Sequence, residues 1–172
     1  MTGFKTFSTN EVMDASEMTT YLVQQAVIIK SVDESVTSST TLQADNELVV
    51  AVSANTDYLV ECFLIYGADP AGDIKTDWDG PASATMDWVA DAITQSATAT
   101  VDQVSRTAQS ISGTPSHGGI TNNSTNLVAL HKGIVRVAGT AGNLTLTWAQ
   151  QASSANATFV RANSTLIVTR IS

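Results

Sequence analysis

Residues 142–150 read GNLTLTWAQ, and their alternation decides the fold. Leu144, Leu146 and Trp148 fall on one side of an extended chain, and Thr145, Thr147 and Ala149 on the other. A period of two over this length marks a strand with one buried face. The runs around it repeat the theme. NLVALHKGIVRVAG (126–139), ATFVRANS (157–164) and TLIVTRI (165–171) are short, rich in β-branched residues and divided by Gly, Asn and Ser. Further upstream, ATMDWVADA (84–92) sets Met86, Trp88 and Ala90 against Thr85, Asp87 and Val89. DYLVECFLIYG (57–67) is apolar on both sides apart from Glu61, which predicts a central strand covered on both faces. LQADNELVVAVS (42–53) predicts a turn at Asp45-Asn46 followed by a strand. Roughly eight to ten strands at this spacing predict an all-β, jelly-roll-type sandwich over residues 42–172.

The first forty residues read differently. In MDASEMTTYLVQQ (13–25), Asp14 followed by Glu17 is a capping box, with Met13 and Met18 placed as its hydrophobic staple. A short helix over about 15–24 is expected, running into an extended AVIIK. SVDESVTSSTT (31–41) has no periodicity and reads as a linker. The organisation expected is an N-terminal arm at 1–30, a linker at 31–41 and the sandwich beyond.

Composition narrows the function classes. Apolar residues make up 43% of the 172, and charged residues only 14%. That is well short of the quarter or so usual in globular domains. The net charge of −8 is uneven: all sixteen carboxylates lie at or before Asp102, while Arg106, Lys132, Arg136, Arg161 and Arg170 stand beyond it. The partners of these five cations must come from the first 102 residues, another copy or a foreign surface. An acidic total with dispersed cations argues against a nucleic-acid partner. No run approaches the ~18 apolar residues of a membrane-spanning helix, and no signal peptide is evident, so no membrane partner is expected and synthesis in a cytoplasm is. The lone Cys62 sits in an apolar run and reads as a buried, inert thiol.

Two stretches resemble structural proteins of tailed actinobacteriophages. The segment GFKTFSTNEVMDASEMTTYLVQQAVII (3–29) is similar to their N-terminal region at Phe7, Glu11, Val12, Ala15, Tyr21, Leu22, Gln25, Ala26 and Val27, with Asn10 in place of a usual Gly. YLVECFLIYGA, DWDGP and the run from GNLTLTWAQ to TLIVTRI resemble their distal domains, which are similar to TNF/C1q-like jelly rolls. The resemblance implies a virion structural protein, assembled in the host cytoplasm and displayed on the particle surface as a homotrimer. It implies an anchoring arm using Phe4, Phe7, Val12, Met18, Tyr21 and Leu22, and an interface drawing on Trp78, Trp88, Leu144, Leu146 and Trp148. The short chain, without heptad stem or collagen-like repeat, favours capsid decoration on a major capsid protein. A minor tail or host-binding protein is the alternative.

The segment DIKTDWDGP (73–81) decides whether chemistry must be added to this reading. As an EF-hand loop it fails, because Lys75 and Met86 occupy positions where ligands are required. Asp73, Asp77 and Asp79 could form another Ca²⁺ site, and Asp77 with Asp79 beside Trp78 could act on sugars as a hydrolase or carbohydrate-binding module. The simpler expectation is an acidic inter-strand loop ending in the turn Asp79-Gly80-Pro81. His117 and His131 fit no common zinc spacing, and His131 reads as a core or interface residue. No enzyme activity, cofactor or metal is therefore expected.

Overall fold

A computed structural model describes residues 8–21, 24–95, 104–120 and 122–171. One helix, α1 (Ala15–Tyr21), precedes the strands. These are β1 (Gln25–Ile29), β2 (Glu34–Val36), β3 (Gln43–Val52), β4 (Thr56–Gly67), β5 (Ile74–Asp79), β6 (Thr85–Ile93), β7 (Val104–Ser105), β8 (Ala108–Ser110), β9 (Ser116–His117), β10 (Leu127–Val137), β11 (Gly142–Ala149), β12 (Thr158–Val160) and β13 (Thr165–Arg170). One sheet has nine strands, with the main path β1-β13-β4-β10-β6-β7 and with β2, β8 and β12 attached; the other runs β3-β11-β5-β9. All pairings are antiparallel. From β3 to β6, and again from β9 to β11, consecutive strands alternate between the two sheets, which is the wrapping of a jelly roll.

The period of two in the sequence becomes burial. Leu144, Leu146 and Trp148 of β11, Met86, Trp88 and Ala90 of β6, and Val60, Cys62, Leu64 and Tyr66 of β4 all point into the space between the sheets. β4 and β10 hold the large sheet together along an eleven-residue ladder, from Thr56↔Val137 to Tyr66↔Leu127. At Gly133 a side chain would stand 2.4 Å from Cβ of Trp88, so only glycine lets β6 bring that indole into the core. The Asp45-Asn46 turn is instead a bulge: β3 is one strand, and its register against β11 jumps between Val49↔Thr145 and Ala44↔Thr147.

The large sheet extends into the expected arm and linker. Gln25–Ile29 pairs with β13, and Glu34–Val36 pairs with β12, with Val36 buried. Polar residues there conceal strand propensity because β2 is three residues long and only Val36 brings an apolar side chain to the core. β4 is covered on its inner face, but its outer face is not: Phe63 is exposed and Glu61 partly so.

Upstream, α1 starts as the capping box requires. Asp14 Oδ1 accepts hydrogen bonds from Ser16 N at 2.8 Å and Glu17 N at 2.9 Å, and Glu17 Oε2 accepts from Asp14 N at 3.2 Å. The helix is described from Ala15 to Tyr21; of the 15–24 expected, residues 22 and 23 lie outside the described residues and Gln24 is not helical.

Candidate functional site

The acidic segment is a strand, not a loop. Residues 74–79 form β5 between β11 and β9, and the turn follows at Gly80. Strand geometry sends the three aspartates to separate duties. Asp73, in the left-handed region at φ 49°, turns inward; its Oδ1 accepts from Gly119 N at 2.7 Å and its Oδ2 from Gln95 Nε2 at 3.1 Å. Asp77 Oδ1 accepts from Trp78 N at 2.7 Å and Ser112 N at 3.1 Å. Burial raises its pKa, the two amide bonds oppose that rise, and the neighbouring Asp79 charge adds to it. Asp79 is exposed. Two of the three carboxylates thus serve as backbone acceptors. Among the described residues no three His, Cys, Asp or Glu side chains converge in a way that could hold a metal.

The tryptophans do not form a sugar platform or a subunit contact. Trp78, Trp88, Leu144, Leu146 and Trp148 are all buried between the two sheets of a single copy. The row assigned to an interface is the intramolecular core. Alternation identifies a buried face but does not say whether the same chain or a neighbour buries it.

Around these indoles lies a cluster that sequence spacing did not reveal. Packing of the two sheets brings His117 of β9 and His131 of β10 within 6.0 Å, ring centre to ring centre. Thr76 Oγ1 of β5 lies between them, 3.1 Å from Nε2 of His117 and 3.5 Å from Nε2 of His131. Trp88 packs 4.9 Å from His131, Trp78 packs at 5.9 Å, and Tyr66 stands 6.4 Å from His117. Tyr66 donates its hydroxyl proton to Gly118 O at 2.9 Å. Burial lowers the pKa of His117 to about 4, and lowers that of His131 well below its usual value with the help of His117. Both imidazoles are therefore neutral near pH 7. A single hydroxyl proton then suits one ring as acceptor while the other ring donates to the oxygen.

A hydroxyl beside an imidazole resembles an activated nucleophile, but two features of catalysis are missing. An activating base is held by a third group on its far nitrogen. Nδ1 of His117 and Nδ1 of His131 have no partner among the described residues. Thr76 is also completely buried, so no substrate reaches its oxygen. The cluster is a packed part of the core. Cys62 is buried as expected, and burial pushes its thiol far above the usual range.

Of the residues expected to anchor the arm, Val12 precedes α1 and Met18 lies within it. Val12 and Met18 are exposed. Tyr21 is the last described helical residue, and Phe4, Phe7 and Leu22 fall outside the described residues.

Four of the five late cations meet carboxylates of the first 102 residues, and Arg170 Nη1 donates to Gln24 Oε1 at 3.4 Å. Arg106 meets Asp91 at 2.8 Å, Lys132 meets Glu61 at 3.0 Å, Arg136 meets Asp87 at 2.7 Å and Arg161 meets Asp33 at 2.8 Å. Arg161 also lies 4.1 Å over the ring of Phe159. The uneven charge along the sequence is evened out by strand pairing.

No family model matches the chain, and no curated protein matches it. Among solved structures it is similar to infectious bursal disease virus, Gx strain, at 10% identity and a TM-score of 0.21, covering 87% of this chain and 40% of that one. It is similar to the VP2 subviral particle of infectious bursal disease virus at 10% identity and a TM-score of 0.23, covering 86% and 40%. The chain thus spans about 40% of the length of these neighbours. Likeness at this level carries no argument about what the chain does.

Proposed function

We propose that this chain is a non-catalytic structural protein of a phage particle, set on the virion surface as a homotrimer and anchored to the major capsid protein by the arm that ends before β1. The observation that carries the reading is the form of that arm. A seven-residue helix is too short to be stable alone in water. This one nevertheless has a complete capping box at its N-terminal end, and Val12 before it and Met18 within it are open to solvent. A helix with a fixed start and uncovered apolar residues suits a surface that completes it. The sequence resemblance of residues 3–29 to phage structural proteins supports the same role. Three copies joined through their sandwiches would present three such arms, turning modest single-arm affinity into strong attachment.

The sandwich supports a mechanical role, because Asp73, Asp77 and the two imidazoles are occupied in holding backbone and core together. Capsid decoration and a minor tail role use the same architecture and differ in copy number. Quantitative mass spectrometry of purified particles tests the choice. Hundreds of copies per particle are expected for decoration; a handful would assign the chain to the tail, and its absence from particles would overturn the virion reading.

A further inference from the structure

The outer face of the nine-stranded sheet is apolar and uncovered among the described residues. Register places Ile29, Thr165, Phe63 and Leu130 side by side in one row, and Val27, Ile167, Glu61 and Lys132 in the next. Val27 is 53% exposed, Ile29 61%, Phe63 45% and Leu130 48%. A shallow hollow of about 320 Å³ opens among Phe63, Leu130, Lys132 and Ile167. Single exposed apolar residues are ordinary, but a contiguous apolar sheet face marks an interaction site.

Charge indicates what covers it. The chain carries −8 overall, so two copies repel each other over most of their surface. On and beside this face the charges cancel in pairs: Lys132 with Glu61, Arg136 with Asp87, and Arg106 with Asp91. An acidic protein can meet itself at low cost where its charge is balanced. Size agrees. Five strands about 4.8 Å apart, and a run of about eight residues along each long strand, give a footprint on the order of 600 Å² per copy. That reaches the lower end of specific interfaces, which start near 600 Å² per partner.

The geometry points to a second copy of this chain as the occupant: the outer face of the β1-β13-β4-β10-β6 sheet is the surface through which copies assemble. The inference rests on the self-association in the proposed function and names the surface that carries it. The apolar side chains of the two rows exclude water, and the ion pairs set the angle at which copies meet.

Light scattering on the full chain and on Phe63→Glu and Leu130→Glu tests this. The parent is expected at a multiple of its 18.0 kDa chain mass, and both variants at the single-chain mass with unchanged β-sheet circular dichroism. Val12→Glu, on the arm, should keep the oligomer and lose attachment to particles. A parent that is a single chain at every concentration, or variants that stay oligomeric, overturns the assigned surface while leaving the virion role standing. A dimer abolished by the same variants supports the surface and overturns the threefold arrangement. If either charge variant does not fold, Leu130→Cys with a short bis-maleimide gives the answer, since the native Cys62 is buried. Covalently linked chains are expected, and their absence overturns the proposal.

Discussion

Nζ of Lys30 lies 2.9 Å from Oδ1 of Asp45, and both side chains are fully buried. Glu34 completes the group, 3.0 Å from the same nitrogen. Asp45 Oδ1 also accepts from Glu47 N and Leu48 N, so one carboxylate shapes the bulge of β3 and holds the end of β1. Removing one partner of a buried pair leaves the other charge uncompensated, which costs about 3–5 kcal/mol. Lys30→Met should lower the free energy of unfolding in urea by that amount. Burial alone would lower the pKa of Lys30, but the bonds from Asp45 and Glu34 outweigh it and the net shift is upward. The pair's contribution is therefore complete below the ordinary lysine value and is lost as pH rises through the higher folded value. Lys30→Met should flatten this alkaline loss.

The sheet begins at Gln24, whose carbonyl accepts from Arg170 N at 2.8 Å. Deleting residues 1–23 should leave a folded sandwich with the parent's thermal midpoint. Deleting 1–30 removes β1 and Lys30 and should abolish cooperative unfolding. Equal stability of the two truncations, measured by calorimetry, would contradict the role given to Lys30.

Acid should weaken the fold through the histidine cluster. A histidine whose folded pKa is depressed contributes stability that is present above pH 6.5 and lost as pH falls through the folded value. For His117 the window runs from about 6.5 down to about 4. A shift of that size corresponds to about 3 kcal/mol at full protonation. Asp77, whose pKa is raised, works in the opposite direction, and Asp33, lowered chiefly by the amide of Ala162 and then by Arg161, adds to the loss at the acid end. Urea unfolding should show falling stability from pH 6.5 to 4, with a shallower slope in a folded His117→Gln variant. A slope unchanged by the substitution would locate the acid sensitivity elsewhere.

Asp73→Ala and Asp77→Ala each leave backbone donors without their acceptor and should cost about 1–3 kcal/mol. Asp79→Asn should be silent. None of the three should alter a response of the thermal midpoint to Ca²⁺ or EDTA, which calorimetry with and without each would show. A Ca²⁺-dependent rise lost in a variant would reveal a metal site.

Exposed ion pairs contribute only about 0–1 kcal/mol each. The isolated oligomer should therefore survive about 0.5 M salt, where screening shortens charge interactions to about 4 Å. Release from particles should begin at lower salt than dissociation of the oligomer. Light scattering beside a particle-release assay over a salt series checks the order.

Much of the sandwich is legible in the sequence because burial on one face writes itself as alternation, as in Leu144, Leu146 and Trp148. The capping box at Asp14 and Glu17 is equally local and equally readable. The meeting of His117, Thr76 and His131 is not, since it depends on which strands of the two sheets face each other across the sandwich. Lys30 and Asp45 are hidden for a related reason: each looks like an ordinary surface charge until β1 takes its place beside β13. The apolar outer side of β4 is visible as a two-faced run, but the run does not show that the described residues leave that side open.

Strand order also sets a timetable for synthesis. β4 sits between β10 and β13 in the finished sheet, and Val60 pairs with Gly133 on one side and Val168 on the other. The second partner is translated about a hundred residues later, which at ~5–20 residues per second means ~5–20 s on the ribosome. Until β10 has been made, one of the most apolar strands in the protein has neither neighbour, and until β13 follows it has only one. Long-range pairing of this kind is slow even after release. Yield in a cell should therefore depend on chaperone capacity and growth temperature more than on final stability, and nascent chains stalled between β4 and β10 should be the species that aggregate.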